Sequence, residues 1–190
     1  MLPTGEGIAV SMVRESLALI PDWLLPATCA IRGYRLGDER TWTDVQLAAE
    51  KQLQIEAGLF RREFGADEGE LERRQLFLCD GSGRAIGTAT AWYDNSYRGR
   101  RCGRVHWVAI VPEAQGRGLA KPLLAATLRR LAELGHERAV LGTHSYRLPA
   151  ISLYLKFGFV PDAHTPAEAE AWRRIAGRLP GGAGMLKGCG

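Results

Sequence analysis

The sequence predicts an α/β domain built on a mixed, mostly antiparallel sheet flanked by helices, and three observations carry that prediction. Cys102–Val111 is an apolar strand that runs into the glycine-punctuated turn Gln115-Gly116-Arg117-Gly118 and then into a long amphipathic helix. Ala139–Thr143 is a short strand directly after that helix, and a strand–helix–strand crossover is right-handed and sets its two strands parallel. Gln75–Cys79 and Ala85–Tyr93 flank Asp80-Gly81-Ser82-Gly83, a strong turn signal that pairs them as an antiparallel hairpin.

In chain order, residues 1–29 show no clear period and contain Pro3, Pro21 and Pro26, so they read as an irregular arm or a short added hairpin. Ala30–Arg35 is a first strand stopped at Gly37-Asp38. Glu39–Ala57 is a helix with Trp42, Val45, Ala49 and Leu53 on one face, although Leu47 and Ile55 fall off it. A short helical piece follows near Leu59–Gly65, then the hairpin, then a loop over Asn95–Arg101 that returns the chain into Cys102–Val111. Gly118–Leu134 is the clearest helix: Leu119, Leu123, Leu124, Leu128 and Leu131 recur mostly at three- and four-residue steps, Gly135 ends it, and Pro122 falls near its first turn. Leu148–Phe157 is a helix stopped by Gly158, Phe159–Pro161 opens a strand, and Thr165–Ile175 is a helix capped by Thr165 with Glu168 three residues on. The domain therefore spans residues 30–178, preceded by the arm and followed by a glycine-rich tail, residues 179–190.

A chain of 190 residues is long enough to bury one full core. With 46% hydrophobic and 24% charged residues it has the balance of a soluble globular domain. The net charge of +4 suits an anionic ligand but lacks the dense basic face of a nucleic-acid binder, so no nucleic-acid partner is expected. Cys29, Cys79, Cys102 and Cys189 form no C-x-x-C pair, so neither a metal site nor a disulfide framework is expected and a reducing cytoplasm is the default. Ile8–Val13 is too short for a signal-peptide core, and no membrane span is read.

The turn after the central strand is suited to phosphate. Gly116 and Gly118 lack Cβ atoms, so successive N–H groups can face one concavity, and the following helix adds its own unpaired N–H groups and the positive end of its dipole. With no Gly-Lys-Ser/Thr it is not a nucleotide-triphosphate loop. A second motif stands downstream, Ala150-Ile151-Ser152-Leu153-Tyr154-Leu155-Lys156-Phe157-Gly158-Phe159. The two together resemble the GNAT superfamily of acetyl-CoA-dependent N-acetyltransferases, and the resemblance covers residues from Ile31 to about Pro161.

That resemblance implies a sheet splayed between its two central parallel strands and acetyl-CoA as cosubstrate. It implies transfer of an acetyl group to a primary amine by direct attack, the acceptor being a small molecule or a peptide. The end of the central strand, Val108, Ala109 and Ile110, would pair with the pantetheine arm and offer an N–H to the thioester carbonyl, a donor of the kind whose loss costs about two orders of magnitude in rate. Gln115, Gly116, Arg117, Gly118, Leu119 and Ala120 would wrap the pyrophosphate, with Lys121 as a further cation. Tyr154 would act as general acid, since a phenol of pKa about 10 is protonated at neutral pH. For the base, His106 on the central strand has the right intrinsic pKa. His144 lies at the far end of the next strand. Position 142, where some relatives carry a glutamate, is Gly142, so the base is His106 or a water relaying to a carboxylate such as Glu56 or Glu63. Arg147 stands where relatives often have an asparagine.

The basic loop Arg98-Gly99-Arg100-Arg101 is either a solvated connection or a lip for an acidic acceptor, with Trp92, Tyr93 and Tyr97 as candidates to line an acceptor pocket. The acceptor itself and a homodimer stay open. The alternative from another class is a non-catalytic acyl-CoA-binding regulatory module.

Overall fold

Residues 7–180 are described in the computed structural model, so residues 1–6 of the expected arm and most of the expected tail lie outside the described part. The hairpin is present as β3 (Gln75–Cys79) and β4 (Ala85–Tyr97). Its turn closes because the Asp80 carboxylate accepts the N–H groups of Ser82 at 2.9 Å and Arg84 at 3.1 Å, an Asx turn, while Gly83 takes φ +85°. β2 (Ala30–Gly33) adds antiparallel to β3 at the edge.

β4 runs further than the sequence suggested and turns directly into β5 (Arg100–Ile110) through Arg98 and Gly99, so the expected loop Asn95–Arg101 is a two-residue turn. Both turn residues have positive φ, 49° and 72°, which matches the right-handed twist of the flanking strands. Polar residues 94–96 make poor strand on propensity. They are held because Tyr97 packs on Val13, Cys102 and Val140 and its hydroxyl donates to Asp162 at 2.6 Å.

β6 (Ala139–His144) pairs parallel with β5, but only at Gly103 with Ala139 and Arg104 with Val140; beyond that the two strands part. Gly103 permits the close packing beneath this pair, since a Cβ there would lie 2.9 Å from a Leu131 methyl. β1 (Ala9–Arg14) runs antiparallel to β6, and β7 (Val160–Pro161) pairs with its other side, giving the order β2-β3-β4-β5-β6-β1-β7. Residues 9–14 are therefore a sheet strand rather than part of an irregular arm. Val10 and Met12 enter the main core and Val13 the opposite face, an alternation too short to stand out between prolines.

α1 (Asp38–Ala49) ends well before Ala57. Glu50 turns extended, and its carboxylate accepts the N–H groups of Gln52 at 2.7 Å and Leu53 at 3.2 Å, which closes a turn in place of the next helical turn. The faults in the apolar face at Leu47 and Ile55 mark this end. α2 (Leu59–Phe64) is the expected short piece, and α3 (Glu68–Arg74), N-capped by Asp67, was not anticipated because Leu71 is its only buried apolar side chain. α4 (Ala120–Glu133) buries Leu123, Leu124, Leu128 and Leu131 against the sheet. α5 (Leu148–Lys156) and α6 (Pro166–Ala176) complete the main core with Ile151, Tyr154, Trp172 and Ile175. Thr165 caps α6 by accepting the Glu168 N–H at 3.2 Å, as its spacing predicted. No helix among the described residues is long and apolar enough to cross a membrane.

Candidate active site

The parting of β5 from β6 opens a cleft of about 680 Å³. Past Arg104 and Val140 the facing backbone groups of the two strands have no ladder partner among the described residues, so an extended chain can hydrogen-bond to either wall. Val108, Ala109 and Ile110 line one side, Gln115 closes its end, and Tyr154 and Arg147 face it from α5 and the residue before it.

β5 is also bulged on its other edge. Thr88 pairs with Ala109 and Thr90 with His106, so β5 spends one residue more than β4 between these pairs. Trp107 takes up the difference with φ +49°, which is rare for a bulky residue and persists only where the surroundings enforce it. Here Gln46 donates to its carbonyl at 3.1 Å, its indole N–H donates to Glu63 at 2.9 Å, and its ring packs edge-on against Trp42 at 5.3 Å. The bulge lies directly beside His106, which reaches the cleft.

His106 Nε2 lies 2.8 Å from the same Glu63 carboxylate, so one acidic side chain of α2 holds two adjacent residues of β5. Hydrogen bonds from the His106 ring and the Trp107 indole pull Glu63 down to about 2 against the opposing effect of burial. At His106 burial outweighs the favourable carboxylate, and the imidazole titrates below its usual 6.5. His106 is thus a neutral imidazole at pH 7, with Nε2–H directed to the Glu63 carboxylate and Nδ1 left as acceptor. Glu63 was named from sequence only as a remote carboxylate, and its direct bond to His106 had no local signal because the two are brought together by α2 packing on the sheet.

At the other wall Tyr154 is 8% exposed, and burial pushes its phenol up to about 12 while the Arg147 charge pulls the other way. Its ring packs edge-on against Phe159, 6.0 Å away. Arg147 is bonded to Glu50, so the residue after α1 and the residue before α5 are tied together where both line the cleft. Gly142 lines it as well, leaving position 142 without a titratable group.

Gly116 (φ +73°) and Gly118 (φ +76°) have no atom within 4 Å of where a Cβ would stand, and the N–H groups of residues 116–120 have no backbone partner among the described residues. α4 has no side-chain N-cap among the described residues, but in its first turn only the Ala120 N–H is open: Lys121 donates to the Gly118 carbonyl at 3.2 Å, Pro122 has no N–H, and Leu123 donates to the Leu119 carbonyl at 3.4 Å. The Gln115 side-chain amide is tied back to the Ile110 carbonyl at 2.8 Å and its backbone N–H to the Pro112 carbonyl at 3.2 Å, whereas Leu119, its side chain buried in the core, offers its backbone N–H to a ligand. Lys121 lies over the Trp23 ring at 4.1 Å, and Arg117 is exposed. Residues 116–121 continue from Gln115 but are not part of the cleft wall itself. Trp92, Tyr93 and Tyr97 do not line the cleft either. Trp92 packs on Phe64, Tyr93 lies between Arg74 and Arg101, and Tyr97 is bound to Asp162, which also holds Arg98.

The model of the acetyltransferase (GNAT) family matches residues 40–159. The chain is 32% identical over 152 residues to a mycothiol acetyltransferase of Arthrobacter sp. (strain FB24), covering 77% of this chain and 47% of that protein. It is 43% identical over 101 residues to the mycothiol acetyltransferase of Saccharomonospora viridis, covering 47% of this chain and 33% of the relative. The chain spans about half the length or less of the curated relatives it matches. Among solved structures, a GCN5-related N-acetyltransferase from Sphaerobacter thermophilus superposes with a TM-score of 0.65 at 20% identity, covering 81% of this chain and 48% of that one. The ribosomal-protein-S18-alanine N-acetyltransferase of Escherichia coli gives 0.57 at 17% identity, covering 71% and 79%. At such identities the two structures speak for the fold.

Proposed function

The chain belongs to the acetyltransferase (GNAT) family, and from that premise we propose that it transfers an acetyl group from acetyl-CoA to a primary amine by direct attack. The observation that carries this is the split pair of parallel strands: the cleft has a neutral imidazole on one wall, a protonated phenol on the other, and an open N–H turn at its end. Acetyl-CoA supplies the activated acyl group. The residues fit it, because residues 116–120 present unpartnered N–H groups at a helix N-terminus and Val108–Ile110 lie on the stretch of β5 that has no β6 partner, an edge to which an extended arm can add. Arg117 is the cation nearest that turn in sequence without a ring or carboxylate partner among the described residues.

His106 then takes the amine proton at Nδ1, with Glu63 fixing the opposite nitrogen as the donor and stabilising the imidazolium that results. A backbone N–H of the Val108–Ile110 edge donates to the carbonyl oxygen as negative charge grows there. Tyr154 gives its proton to the departing sulfur; the burial that raises the phenol raises a thiol in the same cleft, so the two stay matched. Free cysteines at 29, 79 and 102 suit a reducing cytoplasm as the place of action.

The test is a screen of small amines and peptide N-termini at fixed acetyl-CoA, read by thiol release beside calorimetric coenzyme affinity. Amine-dependent thiol release supports the proposal. Tight coenzyme binding with no release on any amine makes the chain an acyl-CoA-binding module instead.

A further inference from the structure

β5 carries into the cleft a charged group that the chemistry above leaves unused. Arg104 and His106 stand two apart on the strand, so both leave the same face, while the alternate residues Gly103 and Val105 face Leu131 and the α4 core. Arg104 and His106 both line the cleft. Arg104 is the last β5 residue paired with β6, so it sits at the point where the strands divide. Glu63 feels its charge, yet that carboxylate is engaged by His106 and Trp107, and no hydrogen bond or ion pair joins the Arg104 guanidinium to a described residue.

A half-buried guanidinium with its five donors open has given up part of its hydration without compensation, and a planar anion restores it bidentately. The coenzyme phosphates are the wrong anion. Their turn begins beyond Ile110, which lies about 20 Å along the strand from Arg104 at ~3.3 Å per residue. The anion that belongs here comes with the acceptor, because Arg104 stands about 7 Å from His106 along the same face. An amine handed to His106 has its neighbouring carbons within reach of the guanidinium.

Resting on the acetyltransferase proposal, we infer that Arg104 is a specificity-determining residue that binds a carboxylate of the acceptor, so that the preferred acceptors are free amino acids rather than simple amines. A bidentate carboxylate at Arg104 leaves the amino group one to three carbons away, pointed along the strand at Nδ1 of His106.

The test uses matched pairs, each amino acid against its own C-terminal amide, on wild type, R104Q and R104K at saturating acetyl-CoA. The amide keeps the amine and the side chain and removes only the charge. Wild type is expected to favour the acids by tenfold or more in kcat/KM, about 1.4 kcal/mol. R104Q should erase that preference chiefly through KM on the acids, leave the amides where they were, and keep its coenzyme affinity, while R104K should retain part of the preference. Calorimetric binding of acid and amide to the coenzyme-bound protein runs alongside. Discrimination in binding without turnover would remove the enzymatic proposal and keep the Arg104 site. Equal use and equal binding of acids and amides by wild type, or an R104Q that weakens both alike, would overturn the inference.

Discussion

In the proposed reaction Tyr154 and the Glu63–His106 pair divide the proton traffic between two walls, and each can be interrogated alone. Tyr154→Phe keeps the ring that packs on Phe159 and deletes only the hydroxyl, so coenzyme affinity should stay within error of wild type. Turnover should fall by roughly 10² to 10⁴, the usual worth of a positioned acid. Calorimetry and steady-state rates on one acceptor settle it, and a variant with wild-type kcat returns Tyr154 to the core. For Glu63→Gln the sign follows from the charge. The carboxylate favours the imidazolium, so its removal lowers the His106 pKa further below 6.5, and the acidic limb of the kcat profile should move to lower pH while the plateau drops. The same variant reads stability. Glu63 is held at about 2 in the fold against an ordinary 4.5, so its contribution is full above 4.5 and is lost as pH falls through 2. His106, depressed below 6.5, adds a cost that sets in below 6.5, where the unfolded chain takes up the proton first. Denaturation midpoints measured from pH 7 to 2 should therefore fall less steeply below 4.5 in Glu63→Gln than in wild type. His106 and Tyr154 could be picked out from sequence by type and motif. The Glu63 bond could not, since its partners lie more than forty positions away and meet only when α2 packs on β5.

Strand by strand, the cleft exists because β5 obeys two neighbours that disagree. Its bulge at Trp107 lets it follow β4 on one edge, and its parting from β6 leaves the other edge free. β1 steadies the far side of that opening by pairing with β6 along its whole length, from Ala9 opposite His144 to Arg14 opposite Ala139. An irregular arm would tolerate truncation of its side chains; a strand between β6 and β7 does not. Met12 is fully buried, so Met12→Ala should cost about 2–5 kcal/mol, seen as a lower denaturation midpoint with an unchanged slope. A loss under about 0.5 kcal/mol, the range of surface changes, would mean the strand is not held in solution as it is here.

At the scale of the whole molecule, the main core of α4, α5 and α6 on the sheet and the smaller aromatic cluster under α1 and α2 lie at the two sides of the cleft, and a ligand spanning it couples them. Acetyl-CoA at a hundredfold excess over its dissociation constant should add about 2.7 kcal/mol, a rise in melting temperature of about 5–10 °C for a chain of this size. ATP at the same excess over that constant should do far less, and Gly118→Glu, which puts a carboxylate into the open N–H turn, should abolish the coenzyme shift. An equal shift with ATP would sink the coenzyme assignment.

By itself the sequence determined the elements whose signals are local: the Asp80–Gly83 hairpin, the leucine period of α4, the Thr165 cap, and the glycine turn whose backbone demands no Cβ. It also determined that β5 and β6 are parallel, because the intervening helix is long enough to carry the chain back to the starting end of the sheet. Only the tertiary structure decided that Ala9–Arg14 is an inner strand, that α1 stops at Ala49, and that the Asn95–Arg101 segment is strand and tight turn. Each of these depends on a partner distant in the chain: β6 for β1, Arg147 for Glu50, Asp162 for Tyr97. The same holds for the site, where type and motif single out His106 and Tyr154, but the state of His106 is fixed by burial and by a carboxylate that the fold alone delivers.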